Sequence, residues 1–207
     1  MNRLAILGAS GHGKVVADAA LASGWKTVCF FDDDWPTVSA IGSWPVVGAT
    51  PDLIRNHEQF DGAVVAIGAN AARLCRQREL VHSGVMLVSI VHPSAVVSPY
   101  ANVGVGTVIC AGAIVGPFAR LGEGCIVNSC ASVDHDCELA DAVHISPGAH
   151  LGGGVQVGEA SWIGIGAVVI PNRQVGAGVI VGAGAVVVSS VNGPVTVVGV
   201  PARPVKC

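Results

Sequence analysis

The segment Asp134-His135-Asp136 sets an imidazole between two carboxylates. A flanking carboxylate fixes the tautomer of a histidine and stabilises the imidazolium it becomes, which is what a general base needs near neutral pH. His144 and His150 follow in the same half of the chain. Together with His135 across an interface, they also match a three-histidine zinc site with one open position, the chemistry of a carbonic-anhydrase-type hydratase. A second group of reactive types lies near the start. In Gly8-Ala9-Ser10-Gly11-His12-Gly13 a glycine turn opens a helix, where backbone amides can hold a phosphate, and Asp32-Asp33 can grip a ribose or a uracil. The glycine spacing departs from GxGxxG and the segment is about half a dinucleotide fold, so NAD is not expected.

These residues need elements to position them. Up to residue 88 the pattern alternates strand and helix, as in an α/β unit. Leu4–Leu7 reads as a buried strand, Val15–Ala22 as a helix and Thr27–Phe31 as a second strand closed by Asp32-Asp33-Asp34. Gly62–Ile67 reads as a third strand closed by Gly68, Ala71–His82 as an arginine-rich helix and Val85–Ile90 as a last strand. Parallel strands joined by helices bind ligands at their C-terminal ends, where the glycine turn, Asp32, Asp33 and Gly68 all fall.

From Val91 the period becomes six. Every sixth residue from Val91 to Val187 is aliphatic, and four residues after each comes a small or β-branched side chain, Arg173 excepted. A hexad makes a short strand and a turn, three hexads close a triangular coil of 18 residues, and stacked coils pair as a parallel β-helix. Arg173 is expected to mark a bulge between coils. The domain boundary is expected at residues 88/89, with a Rossmann-like half domain over 1–88 and the β-helix over 89–207.

Residues 18 apart become vertical neighbours, so the outer surface can be read in columns. Asn102, Arg120, Glu138, Gln156, Gln174 and Asn192 form a polar column expected to face water. Two others are apolar rows interrupted by histidine: Val108, Ile126, His144, Trp162, Ile180, and Ile114, Ser132, His150, Val168, Val186. Exposed apolar stripes of that length call for a partner surface, and one wet face with two covered ones suits a cyclic trimer. A third kind of column runs Pro99, Pro117, His135, Gly153, Pro171, with bare backbone directly above the histidine. His144 lies half a coil from His135, so a site using both is built by two subunits.

Only 12% of residues are charged, against roughly 25% in ordinary globular chains, and net charge is −3. No basic run or patch points to nucleic acid or anionic lipid. Stretches without Asp, Glu, Lys or Arg, Leu80–Ala119 and Gln174–Ala202, are long enough for a membrane span, but their glycines, prolines and hexads argue against insertion. Seven cysteines without CxxC spacing suit free thiols in a reducing cytoplasm. Cys130 and Cys137 read as small packing residues.

The chain as a whole resembles the sugar acyltransferases of the left-handed β-helix superfamily that carry an N-terminal nucleotide-sugar domain, including bacillosamine-type N-acetyltransferases and sialic-acid O-acetyltransferases. The resemblance is carried by Gly8-Ala9-Ser10-Gly11-His12-Gly13-Lys14-Val15-Val16, Asp32-Asp33, Ala66-Ile67-Gly68-Ala69-Asn70, Asn128 to Cys137 and Val198-Gly199-Val200-Pro201-Ala202-Arg203. It implies left-handedness, a homotrimer and acetyl-CoA as the acyl donor, with no metal. It also implies His135 as the base tuned by Asp136, Asn128 near the acceptor, and His144 against the thioester from a neighbouring subunit. Gly153 would offer its amide to the oxyanion. Coenzyme A would run past Ile165 and Ala183 toward Pro201–Arg203. Ser10, Gly11, His12, Asp32, Asp33 and Gly68 would contact a nucleotide-linked, UDP-type amino sugar.

The reading is therefore acetyl-CoA-dependent N-acetylation of a nucleotide-linked amino sugar for a surface glycan. O-acetylation of sialic acid is the nearest rival; the zinc hydratase and a non-catalytic trimeric scaffold are the others.

Overall fold

A computed structural model describes residues 2–205, which divide after Pro93 into two compact units. In the first, strands β1 (Arg3–Leu7), β2 (Thr27–Phe31) and, later in the chain, Gly62–Val65 form a parallel sheet with β1 in the centre. Helix α1 (Gly11–Ala22) follows β1, and the link after β2 holds a hairpin of β3 (Ala40–Ile41) and β4 (Trp44–Pro45) and then α2 (Thr50–Asn56). The strand Gly62–Val65 is β5, and α3 spans Asn70–His82. Leu4, Ile6, Phe30, Val64 and Val65 are fully buried, the continuous apolar pattern of a sheet covered on both faces.

Three features depart from the sequence pattern. Helix α1 begins a turn earlier than expected, because Gly13 presses its Cα against the Gly8 carbonyl and the Phe30 ring; a Cβ there would collide with the Gly8 oxygen and stand 3.0 Å from Phe30. The expected strand Val85–Ile90 does not form. Val85 and Leu87 are buried while Met86 is exposed, yet the segment meets β5 at a single bridge, Ala63 with Leu87. Two backbone hydrogen bonds make that bridge, Ala63 N–H to the Met86 carbonyl and Val88 N–H to the Ala63 carbonyl, and the pairing extends no further. The hairpin and α2 were not legible, their apolar runs being too short to show a period.

In the second unit each hexad forms a two-residue strand, and strands 18 apart pair in parallel. One sheet runs from Val96–Val97 to Val186–Val187, a second from Asn102–Val103 to Gln174–Val175, and a third includes the strands from Val108–Ile109 to Ile180–Val181. The aliphatic residues and the small corner residues fill the prism: Ile109, Val127, Val133, Ile145 and Val181 are fully buried beside Ala113, Ala131 and Ala149. The expected bulge at Arg173 is absent. Gln156 pairs with Gln174 in unbroken register and the Arg173 carbonyl accepts the Gln156 N–H at 3.0 Å. The side chain fits because it turns outward and its Nε donates to the Pro171 carbonyl at 3.1 Å.

The register changes only at the end, where Ile180 pairs with Thr196 and Val175 with Val191. The last coil is thus two residues short, and Gln174 meets Ser190 instead of Asn192. The polar column is exposed as expected, with Arg120 and Glu138 3.8 Å apart and the Gln174 Nε2 donating to Gln156 Oε1 at 3.1 Å. Cys137 is buried, but Cys130 is exposed at a left-handed corner, φ 56°, so it is not an inward packing residue.

Candidate active site

The corner of the prism after Val133 carries Asp134, His135 and Asp136, all exposed. Asp136 adopts φ 57°, a region that Asp tolerates better than most residues, and this turns its carboxylate back onto the preceding imidazole. Its Oδ2 lies 2.7 Å from His135 Nδ1, while Asp134 Oδ1 accepts the His135 backbone N–H at 2.7 Å. With Nδ1–H donating to Asp136, Nε2 is left with its lone pair as the proton acceptor. The hydrogen bond to Asp136, followed by the charge of Asp134, raises the His135 pKa above its usual 6.5.

The ring reaches upward over Gly153. A Cβ at Gly153 would overlap Nε2 and stand 2.5 Å from Cε1, so only glycine admits the imidazole in this position. The coils are tied at this point by Gly154 N–H donating to the His135 carbonyl and Asn172 N–H donating to the Gly153 carbonyl, each at 2.9 Å. The Gly153 N–H itself makes no hydrogen bond to a protein acceptor among the described residues.

On another face, Asn128 and His144 come from adjacent coils. Asn128 Oδ1 accepts the Ser129 N–H at 2.8 Å, which directs its Nδ2 to His144 Nε2 at 3.1 Å. Nε2 therefore accepts, and the proton of a neutral His144 resides on Nδ1. The imidazole is 7% exposed and lies parallel to the Trp162 ring, with centroids 5.5 Å apart and 7° between planes. Trp162 Nε1 donates to Ser146 Oγ at 2.6 Å. Higher on the prism, Ile165 and Ala183 are exposed one coil apart, with the Ile165 carbonyl accepting the Gly184 N–H at 2.8 Å. Their own N–H groups make no protein hydrogen bond among the described residues.

The α/β unit carries the other set. A cleft of about 350 Å³ lies at the strand C-terminal ends, lined by Gly8, Ser10, Asp32, Asp33, Ile67 and Arg76 among others. Asp32 organises its floor: Oδ2 accepts the Ala9 N–H at 2.6 Å and Oδ1 the Asp34 N–H at 3.0 Å. Asp33 accepts the Thr50 N–H at 3.0 Å and pairs with Arg76 at 2.6 Å. Burial pushes the Asp33 pKa up, but the Thr50 hydrogen bonds and Arg76 outweigh it and hold the carboxyl below its ordinary value. Ser10, the residue before α1, makes no side-chain cap, and the first turn of α1 has no acidic residue.

Gly11, His12 and Gly68 do not line this cleft. His12 is largely buried, and burial followed by the charge of Arg73 lowers its pKa to about 4, so it is neutral at pH 7. Gly68 offers its carbonyl to Arg73, whose Nη1 also donates to Ile67 O at 2.9 Å and whose Nη2 donates to Asn70 Oδ1 at 2.9 Å. Arg73 and Arg76 were not singled out in the sequence. The signal was the arginine-rich helix directly after the Gly68 strand end, which places guanidinium groups at the mouth of a parallel sheet. Among the described residues no group of three or more His, Cys, Asp or Glu is placed to hold a metal.

A half-Rossmann unit and a hexapeptide-repeat prism with an exposed histidine–carboxylate pair define an acyltransferase of the left-handed β-helix class. Residues 3–80 match the PglD N-terminal domain family. Over 99% of its length the chain superposes on the whole acetyltransferase domain of PglB from Neisseria gonorrhoeae, with 44% identity and a TM-score of 0.94. PerB of Caulobacter crescentus, solved with CoA and GDP-perosamine, is 40% identical, with a TM-score of 0.94 over 100% of this chain and 98% of that one. The UDP-N-acetylbacillosamine N-acetyltransferase of Bacillus subtilis is 38% identical over 115 residues, 54% of this chain. That match spans about half of the relative, 52% of its length. The chain belongs to the sugar acyltransferase family of the left-handed β-helix superfamily with an N-terminal PglD-type domain.

Proposed function

We propose that the protein is an acetyl-CoA-dependent N-acetyltransferase acting on a UDP-linked amino sugar, working as a homotrimer in the cytoplasm. The observation that carries this reading is the His135–Asp136 pair, with Nε2 open and poised beside the bare Gly153 backbone. The relatives' substrates, a UDP-sugar and GDP-perosamine, supply the class of acceptor.

In this reading the sugar attacks as its neutral amine, and Nε2 of His135 takes the proton that the attacking nitrogen gives up. The nitrogen lone pair forms a bond to the acetyl carbon and the carbonyl electrons move to oxygen. The Gly153 N–H, which has no protein acceptor, donates to that oxyanion, a preorganised contact of the kind that supplies a large share of acyl-transfer catalysis. Collapse expels the CoA thiolate, which takes the proton from His135. Asn128 stands near the acceptor, His144 of a neighbouring subunit holds the thioester, and the open N–H groups at Ile165 and Ala183 meet the pantetheine chain. The α1 N-terminus with Ser10 takes the diphosphate, since a helix start without acidic residues attracts anions. Gly11 and Gly68 shape the loops around it, His12 is neutral and adds no charge there, and Asp32 and Asp33 face the nucleoside.

The test is thiol release from acetyl-CoA with UDP- and GDP-linked 4-amino sugars and free sialic acid, for wild type and His135→Ala. Turnover of one UDP-amino sugar, reduced a thousandfold or more in the variant, is the expected result. Release with sialic acid alone replaces it with O-acetylation, GDP-sugar preference changes the nucleoside, and equal rates in both proteins remove His135 from the mechanism.

A further inference from the structure

Arg76 stands on α3 one turn beyond Ala72, and both line the cleft at the strand ends of the α/β unit. Its guanidinium is held at two ends. Nη1 donates to Glu79 Oε2 at 2.6 Å within the same helix, and Nη2 donates to Asp33 Oδ2 at 2.6 Å, just past the end of β2. The other Asp33 oxygen accepts the Thr50 N–H at 3.0 Å. Asp33 is thus clamped from two sides, by the start of α2 and by α3. Charge is what this clamp manages. Asp32, Asp33 and Asp34 all line the cleft, and Arg76 is the only cationic side chain lining it among the described residues. Backbone N–H groups engage both oxygens of Asp32, which stabilises its charge without cancelling it. A space of about 350 Å³ is roughly 7 Å across, less than the Debye length of about 8 Å at physiological salt, so each of these charges acts on an anion bound there.

The geometry points to Arg76 as the positioning residue of the nucleotide cleft: it holds the Asp33 carboxylate in place for the nucleoside and cancels its charge, so that a dianionic diphosphate is not repelled. This deepens the proposed function and rests on it. The amides at the start of α1 offer a diphosphate only partial charges, too little to offset an uncompensated carboxylate in the same cleft. The side chains of the pair are 37% and 46% exposed, and exposed ion pairs contribute little to stability, so removing Arg76 acts on the ligand and spares the fold. Methionine at this position makes the group formed with Asp33 and Glu79 one unit more negative. Adding Asp33→Asn returns that group to its wild-type charge while the new amide oxygen can still accept the Thr50 N–H.

The test is calorimetric binding of UDP against uridine, and of GDP against guanosine, to wild type, Arg76→Met and Arg76→Met with Asp33→Asn. The readout is the preference for the diphosphate over its own nucleoside, which separates charge from recognition of the base. In Arg76→Met that preference should fall about tenfold at low salt and less at high salt, and in the double variant it should return to within about threefold of wild type. KM for acetyl-CoA should be unchanged and the melting temperature within about 2 °C of wild type. A preference within twofold of wild type in Arg76→Met, with turnover intact, overturns this inference alone. A double variant as impaired as the single one also overturns it, because Arg76 would then touch the phosphates directly, and a melt lowered by more than about 5 °C does so by making Arg76 a structural residue. Wild type that binds neither UDP nor GDP overturns the nucleotide-sugar reading and this inference together.

Discussion

Replacing Gly153 by alanine tests the site with a single methyl group. The new Cβ would overlap His135 Nε2 and stand 2.5 Å from Cε1 and 3.1 Å from Cδ2. Ordinary carbon contacts lie near 3.5–4.0 Å, so the imidazole must retreat by about 1 Å. The backbone at Gly153 is not left-handed, so alanine is otherwise tolerated and the fold should survive. Retreat is possible only by turning the ring, which lengthens the 2.7 Å contact with Asp136 and carries Nε2 away from the Gly153 amide. A displacement of this size costs on the order of a hundredfold in rate, ~2.7 kcal/mol of barrier. The assay is kcat at saturating acetyl-CoA and acceptor, beside a thermal melt. A fall of about a hundredfold with an unchanged melting temperature is expected. A variant with kcat within threefold of wild type would refute the reasoning, because the close approach of ring and backbone would then be irrelevant to turnover.

The pH profile supplies another prediction. Asp136 raises the His135 pKa, so in wild type the rate should climb with pH through a value above 6.5, where Nε2 loses its proton. In Asp136→Asn the midpoint of that limb should fall toward the ordinary histidine value and the plateau rate should drop, read from kcat/KM between pH 5 and 9; an unmoved midpoint contradicts the pairing. Arg73 is 1% exposed and holds three acceptors from Ile67, Gly68 and Asn70. Arg73→Met leaves them buried without a donor and should cost about 3 kcal/mol of stability by urea unfolding, with a higher acceptor KM; a loss under 1 kcal/mol would show that water replaces the guanidinium.

Much of this site was visible before any coordinates. The six-residue period assigned each inward residue from Ile109 to Val187, since short flat strands around a prism leave no freedom about which side chain turns in. For the same reason the 18-residue step placed Gly153 above His135, and the Asp134-His135-Asp136 run marked the candidate base through adjacency alone. The strand ends of the α/β unit were legible because buried parallel strands read as apolar runs stopped by glycine or aspartate.

What the sequence by itself determined was therefore everything that depends on local periodicity: the two architectures, their inward faces and the residues that stand in one column. Tertiary structure decided what depends on angles and on contacts between distant segments. The resemblance had named Asp136, but only the left-handed corner, which reverses its side chain, brings that carboxylate onto Nδ1. Tertiary structure engaged both oxygens of Asp32 in the turn it closes and brought Arg76 across to Asp33, a pairing 43 residues apart. It also shortened the last coil and reduced the Val85–Ile90 run to one bridge, because register and edge pairing depend on where two chain segments meet, which no single segment encodes.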